Sequence, residues 1–183
     1  MSERYLVSIR GTRPLLMHRL PADVGESRQR AGVRPDPRAE AERALYRDGK
    51  GNIVVPALNV LSCLRDAARD LRVPGKGRKT FRDYIFSGLV IEPENIPLVV
   101  PDGRSPEEAW QLDLRPVMVQ KARVIRARPR FDQWSLHFSV AILDPLITEV
   151  ALRRILEDAG RYVGLLDGRP LFGLLAVERF ERA

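Results

Sequence analysis

The sequence predicts one α+β domain, an antiparallel sheet with two helices packed on one face and loops inserted between the elements. Three observations lead there. Tyr5, Val7 and Ile9 alternate with Leu6, Ser8 and Arg10, and Trp134, Leu136, Phe138, Val140 and Ile142 alternate with Ser135, His137, Ser139 and Ala141; this period of two belongs to half-buried strands. Leu61, Leu64, Ala68 and Leu71, and later Leu152, Leu156, Ala159 and Val163, recur at the helical spacings of three and four. At 183 residues the chain suits a single core, 1–183.

The elements follow in order. Gly11 to Pro14 ends the first strand. Pro21 to Arg38, rich in Pro, Gly and charge, reads as a long mobile loop, and 38–90 as a largely helical insertion. Within it lie a short helix over Arg38 to Arg47, a turn at Asp48 to Gly51 and an apolar run Ile53-Val54-Val55. A helix then has Pro56 in its first turn and stops at Pro74. Thr80 to Gly88 predicts another short helix, Leu89-Val90-Ile91 a strand, and Leu112 to Arg128 one extended or bulged strand. After the strand ending at Ile142, Thr148 caps a helix that Gly164 terminates, and Leu174 to Phe180 forms the last strand. Without the insertions the order is strand, helix, strand, strand, helix, strand, the split arrangement of ferredoxin-like domains. One sheet face would then be free to carry a single-stranded nucleic acid.

Charge narrows the partners. A net charge of +7 and a pI near 10.2 favour polyanions if the cations cluster. All but four of the 31 basic residues are arginines, which equally fits genome composition or heat adaptation. The 44% hydrophobic and 30% charged composition is that of a soluble protein, and no apolar run reaches the roughly 20 residues of a membrane span. Met1 to Tyr5 show no secretory pattern, and a lone cysteine fits a reducing, cytoplasmic compartment.

The densest basic cluster is Arg115, Lys121, Arg123, Arg126, Arg128 and Arg130, without an acidic residue between its ends. On an extended ribbon, same-face side chains about 7 Å apart can follow a phosphate chain, although such a ribbon is equally a solvated edge. A second run, Arg72, Lys76, Arg78, Lys79 and Arg82, brackets Gly75 and Gly77 but lacks the spacing of a phosphate-binding loop, and reads as binding or merely solvated. Tyr46, Tyr84, Phe131 and Trp134 are candidates for base stacking, with Phe131 best placed beside Arg128 and Arg130, while core packing is the ordinary role of each. His18 and His137 stand apart without a ligand pattern, so no metal and no cofactor are expected. His18 as a general base and Asp23 as a loop carboxylate are the only catalytic candidates, and Cys63 reads as buried packing.

Three segments resemble the repeat-associated mysterious proteins (RAMPs) of CRISPR systems. Val7 to His18, with its Pro14-Leu15-Leu16, is similar to the strand and exit that open those proteins. Gly51 to Ala68 resembles their Ile-Pro-Gly helix start, with Ala57 and Cys63 where the family favours glycine. Gly164 to Gly173 resembles their late glycine-rich loop. The resemblance implies an RRM-like sheet, a thumb-like insertion over 21–38, phosphate contact near Gly168 and Arg169, and copies arranged along a guide RNA. It also leaves Asp23 as the counterpart of a cleaving loop aspartate.

The expected function is a single-stranded nucleic-acid-binding subunit, with RNA favoured over DNA, that assembles with copies of itself or related subunits and no membrane. A metal-independent ribonuclease of the same fold and a structural or assembly protein of a virus or mobile element are the alternatives.

Overall fold

The computed structural model describes residues 3–20, 36–119 and 122–183. Asp23, Lys121 and most of the 21–38 loop lie outside the described residues. A four-stranded antiparallel sheet is built from β1 (Glu3–Gly11), β4 (Leu89–Glu92), β8 (Ser135–Ile142) and β9 (Leu175–Arg182), in the order β4-β8-β1-β9. Between β1 and β4 the chain forms β2 (Leu15–Leu16), α1 (Pro37–Arg43), β3 (Val54–Pro56), α2 (Ala57–Ala67) and α3 (Ile85–Gly88). Between β4 and β8 lie β5 (Asn95–Pro97), α4 (Pro106–Ala109), β6 (Gln111–Val119) and β7 (Ala122–Phe131). Helix α5 (Glu149–Asp158) joins β8 to β9.

The alternation in the sequence becomes the two faces of this sheet. Tyr5, Val7 and Ile9 stand opposite Val140, Phe138 and Leu136, all buried, and α2 and α5 cover them with Val60, Cys63, Leu64, Leu152, Ile155 and Leu156. Each such side chain removed from water stabilises the fold by about 1.5–3 kcal/mol. Helix α2 is therefore part of the common core, although it falls within the expected 38–90 insertion. Thr148 caps α5 as expected, its hydroxyl accepting from the Ala151 amide at 3.2 Å. The last turn widens to a π turn over Ala159–Val163 before Gly164, at φ 82°, ends it.

Two expectations change here. The segment read as one strand over Leu112 to Arg128 is a two-stranded arm: β6 and β7 pair antiparallel from Gln111↔Arg130 to Val119↔Ala122. Its base is tied to β2, through Leu15↔Phe131. The free sheet face also lacks what base stacking needs. Its outward positions are Arg4, Leu6, Ser8 and Arg10 on β1, His137 and Ser139 on β8, and Arg179 and Glu181 on β9. Arg4 pairs with Glu92, Arg10 with Glu178 and Arg179 with Glu181, while His137 Nδ1 lies 2.9 Å from Ser8 Oγ. The aromatic residues of these strands, Tyr5, Phe138 and Phe180, are all buried.

Candidate nucleic-acid interface

Strand alternation splits the basic arm. Arg126, Arg128 and Arg130 share one face of β7, opposite Arg115, Asp113 and Gln111 of β6, whereas Arg123 points to the other face with Met118, Ile125 and Leu114. On the first face carboxylates have already engaged the cations. Arg115 Nε donates to Asp113 at 2.8 Å, Arg130 Nε donates to Asp132 at 2.7 Å, and Arg126 lies 3.6 Å from Glu40. Nε of Arg128 lies 2.7 Å from Oδ2 of Asp167, in ionic contact but without good hydrogen-bond geometry for either atom. The guanidinium of Arg115 also covers Phe172, 4.7 Å from the ring centroid. Among the described residues the cations do not form a continuous accessible stripe. Of its described members, only Arg123 is exposed without an ion-pair partner among the described residues. Phe131, expected to stack on a base, is 0% exposed, as is Trp134; Tyr46 and Tyr84 pack against the core.

The second run behaves differently. Between Leu71 and Phe81 the chain makes an ordered protruding loop: the Val73 amide donates to Lys79 O at 3.0 Å, the Phe81 amide to Leu71 O at 2.9 Å, and Arg72 bridges Thr80. Gly75 and Gly77 take the positive φ values of 73° and 65° that its turns require. Arg69, Arg72, Lys76, Arg78, Lys79 and Arg82 are all exposed, and none has a carboxylate at ion-pair distance among the described residues. Four cations on this rooted loop, with Arg69 and Arg82 in the helical turns at its two ends and only Asp70 interleaved, give a local positive potential that the arm, with its internal partners, does not.

Phe86 escaped the reading of the sequence. It sits on α3, just beyond this loop, as a residue 48% exposed, with the Arg65 guanidinium 5.2 Å from the ring centroid. Arg65 is bound in turn to Asp66 at 2.9 Å, and Asp66 to Arg169 at 3.3 Å, so Arg169 supports this cluster instead of standing free. Gly168, at φ 72°, is a left-handed turn position of the glycine-rich loop, where an added Cβ would crowd Phe172 and Leu16.

His18 lies elsewhere, at a cavity of about 140 Å³ lined with Tyr46, Asn59, Leu166 and Asp167. Burial lowers its pKa below the usual 6.5, partly opposed by the Asp167 carboxylate, and its buried Nδ1 has no hydrogen-bond partner among the described residues. Leu166 adopts φ 59°, a strained conformation for a side chain of its size. Cys63 is buried as expected, its thiol 3.0 Å from the Gly164 carbonyl and pushed up to about 12 by burial. Among the described residues no group of three metal-binding side chains gathers, and no helix is long and apolar enough to cross a membrane. No protein-family model matches the chain, and no curated protein matches it.

Proposed function

We propose that the chain is a single-stranded nucleic-acid-binding subunit whose contact with phosphate runs through the loop from Arg69 to Arg82, not through the β6–β7 arm. The supporting observation is the exposure of six cations there without carboxylate partners among the described residues. Unpaired cations release counterions from a bound phosphate chain, whereas cations already held by carboxylates gain little. The strand order β4-β8-β1-β9, with α2 and α5 on one face, agrees with a ferredoxin-like, RRM-like arrangement and with the RAMP resemblance. On that reading the bound strand is RNA, the setting is a cytoplasmic CRISPR-like ribonucleoprotein, and copies or related subunits are its partners.

The test is a salt titration of binding to a single-stranded RNA by the parent and by a triple variant, Lys76→Ala with Arg78→Ala and Lys79→Ala. Each lost phosphate contact lowers the slope of log affinity against log salt by about 0.7, so the triple variant is expected to lose about 2. An unchanged affinity and slope would remove the loop from the interface.

A further inference from the structure

We infer that Phe86 is a stacking seat for one unpaired base, which makes the basic loop select single strands over duplexes; the inference rests on the proposed role of that loop. The root of the loop has two sides. Arg65 is four residues before Arg69 on the incoming side, in α2, and Phe86 is four residues after Arg82 on the outgoing side, in α3. The Phe81–Leu71 backbone bond closes the root between them, and the guanidinium of Arg65 over the Phe86 ring joins the two sides.

The surroundings separate Phe86 from an ordinary surface aromatic. Its neighbours Ile85 and Gly88 are buried, so α3 is anchored by those residues while Phe86 stays half-exposed. Arg65 does not wander over that ring, because Asp66 accepts from its Nε and Nη2 at 3.2 and 2.9 Å and is itself braced by Arg169. The result is a planar cation, tied by Asp66, over one face of a half-exposed aromatic ring, with Arg69 and Arg82 four residues along the chain on either side and their charges unpaired among the described residues. Proteins that hold single strands combine these two parts, a cationic track for the backbone and an aromatic face on which a base lies. Any base has a π face, so the seat is indifferent to sequence. In a duplex each base is already stacked on its neighbours, and the seat has nothing to take.

The experiment uses the full chain and labelled RNA of mixed sequence, of about 15 nucleotides, offered single-stranded and as a blunt duplex. Phe86→Ala is expected to weaken single-strand binding roughly tenfold, with the salt slope and the duplex affinity unchanged, and Phe86→Trp to restore it. Thermal unfolding of both variants checks that the surface change leaves the fold intact. Equal weakening on single strand and duplex, or parental binding by Phe86→Ala, would overturn the seat. Parental behaviour of Phe86→Ala beside a loss of slope in the Lys76, Arg78 and Lys79 variant leaves the loop standing and removes only the seat. A parent that binds no single strand removes both.

Discussion

Nε of Arg128 lies 2.7 Å from Oδ2 of Asp167, and this contact fastens the β6–β7 arm to the glycine-rich loop. The Arg128 side chain is only 12% exposed, so removing its partner leaves a largely buried charge uncompensated, whereas removing both partners does not. Because Asp167 is itself about one-third exposed, Asp167→Asn is expected to lower the free energy of unfolding by about 1–3 kcal/mol in a urea titration. The double variant Arg128→Met with Asp167→Leu should lose less. A single variant as stable as the parent would show that the contact contributes nothing.

His18 should make the protein less stable in mild acid. Burial holds its folded pKa below 6.5, so as pH falls the unfolded chain takes up a proton before the folded one does. The stabilising contribution is complete above pH 6.5 and is lost from there down through the folded pKa. Asp167, Arg128, Arg126 and Glu40 supply the charges around it. Denaturation midpoints followed against pH should diverge between the parent and His18→Gln only below 6.5. Parallel curves would contradict the assignment.

Two glycines with the same φ of 73° should respond differently to alanine. At Gly173 an added Cβ would overlap the backbone of Leu165, whose amide donates to the Gly173 carbonyl at 2.9 Å. At Gly75 it would meet nothing within 4 Å. Thermal unfolding should show only the strain of a left-handed residue at Gly75→Ala, about 1–2 kcal/mol, and a substantially larger loss at Gly173→Ala. Equal losses would mean that the loop relaxes freely around Leu165.

Cys63 is expected to resist alkylation at pH 8 in the folded protein. Burial raises its thiol to about 12, and thiolate is the reactive form. Labelling should therefore follow unfolding, accelerating with urea in step with the loss of structure. Rapid labelling without urea would place the thiol at the surface.

What was legible in the sequence was local. The alternation through Val7 and Phe138 placed two strands, and Thr148 and Gly164 bounded α5, because each signal lies within a few residues of the element it defines. The arm was misread because Val119-Gln120-Lys121-Ala122 contains no Gly, Pro or Asn to mark a reversal, and apolar residues continue on both sides of it, from Val117 to Val119 and at Val124 and Ile125. The neutralisation of its arginines was invisible for another reason: Glu40 and Asp167, the partners of Arg126 and Arg128, come from distant segments. Phe131 looked accessible beside its basic neighbours, yet strand parity turns it the opposite way and β2 pairs over it. Phe86 was passed over, because nothing local to the short helical segment Thr80 to Gly88 tells that Ile85 fills the core while Phe86 is left half-exposed. Its nearest usable signal was Arg82, one helical turn earlier.

The unequal shielding of the arginines means that electrolyte acts on them in two stages. Ions reach the protruding Lys76 to Arg82 loop freely and shorten the range of its attraction to about 3 Å at molar strength, while the occluded Arg128–Asp167 contact is scarcely touched. Washing in molar sodium chloride should consequently strip any polyanion from the molecule and leave the arm clasped to its neighbour.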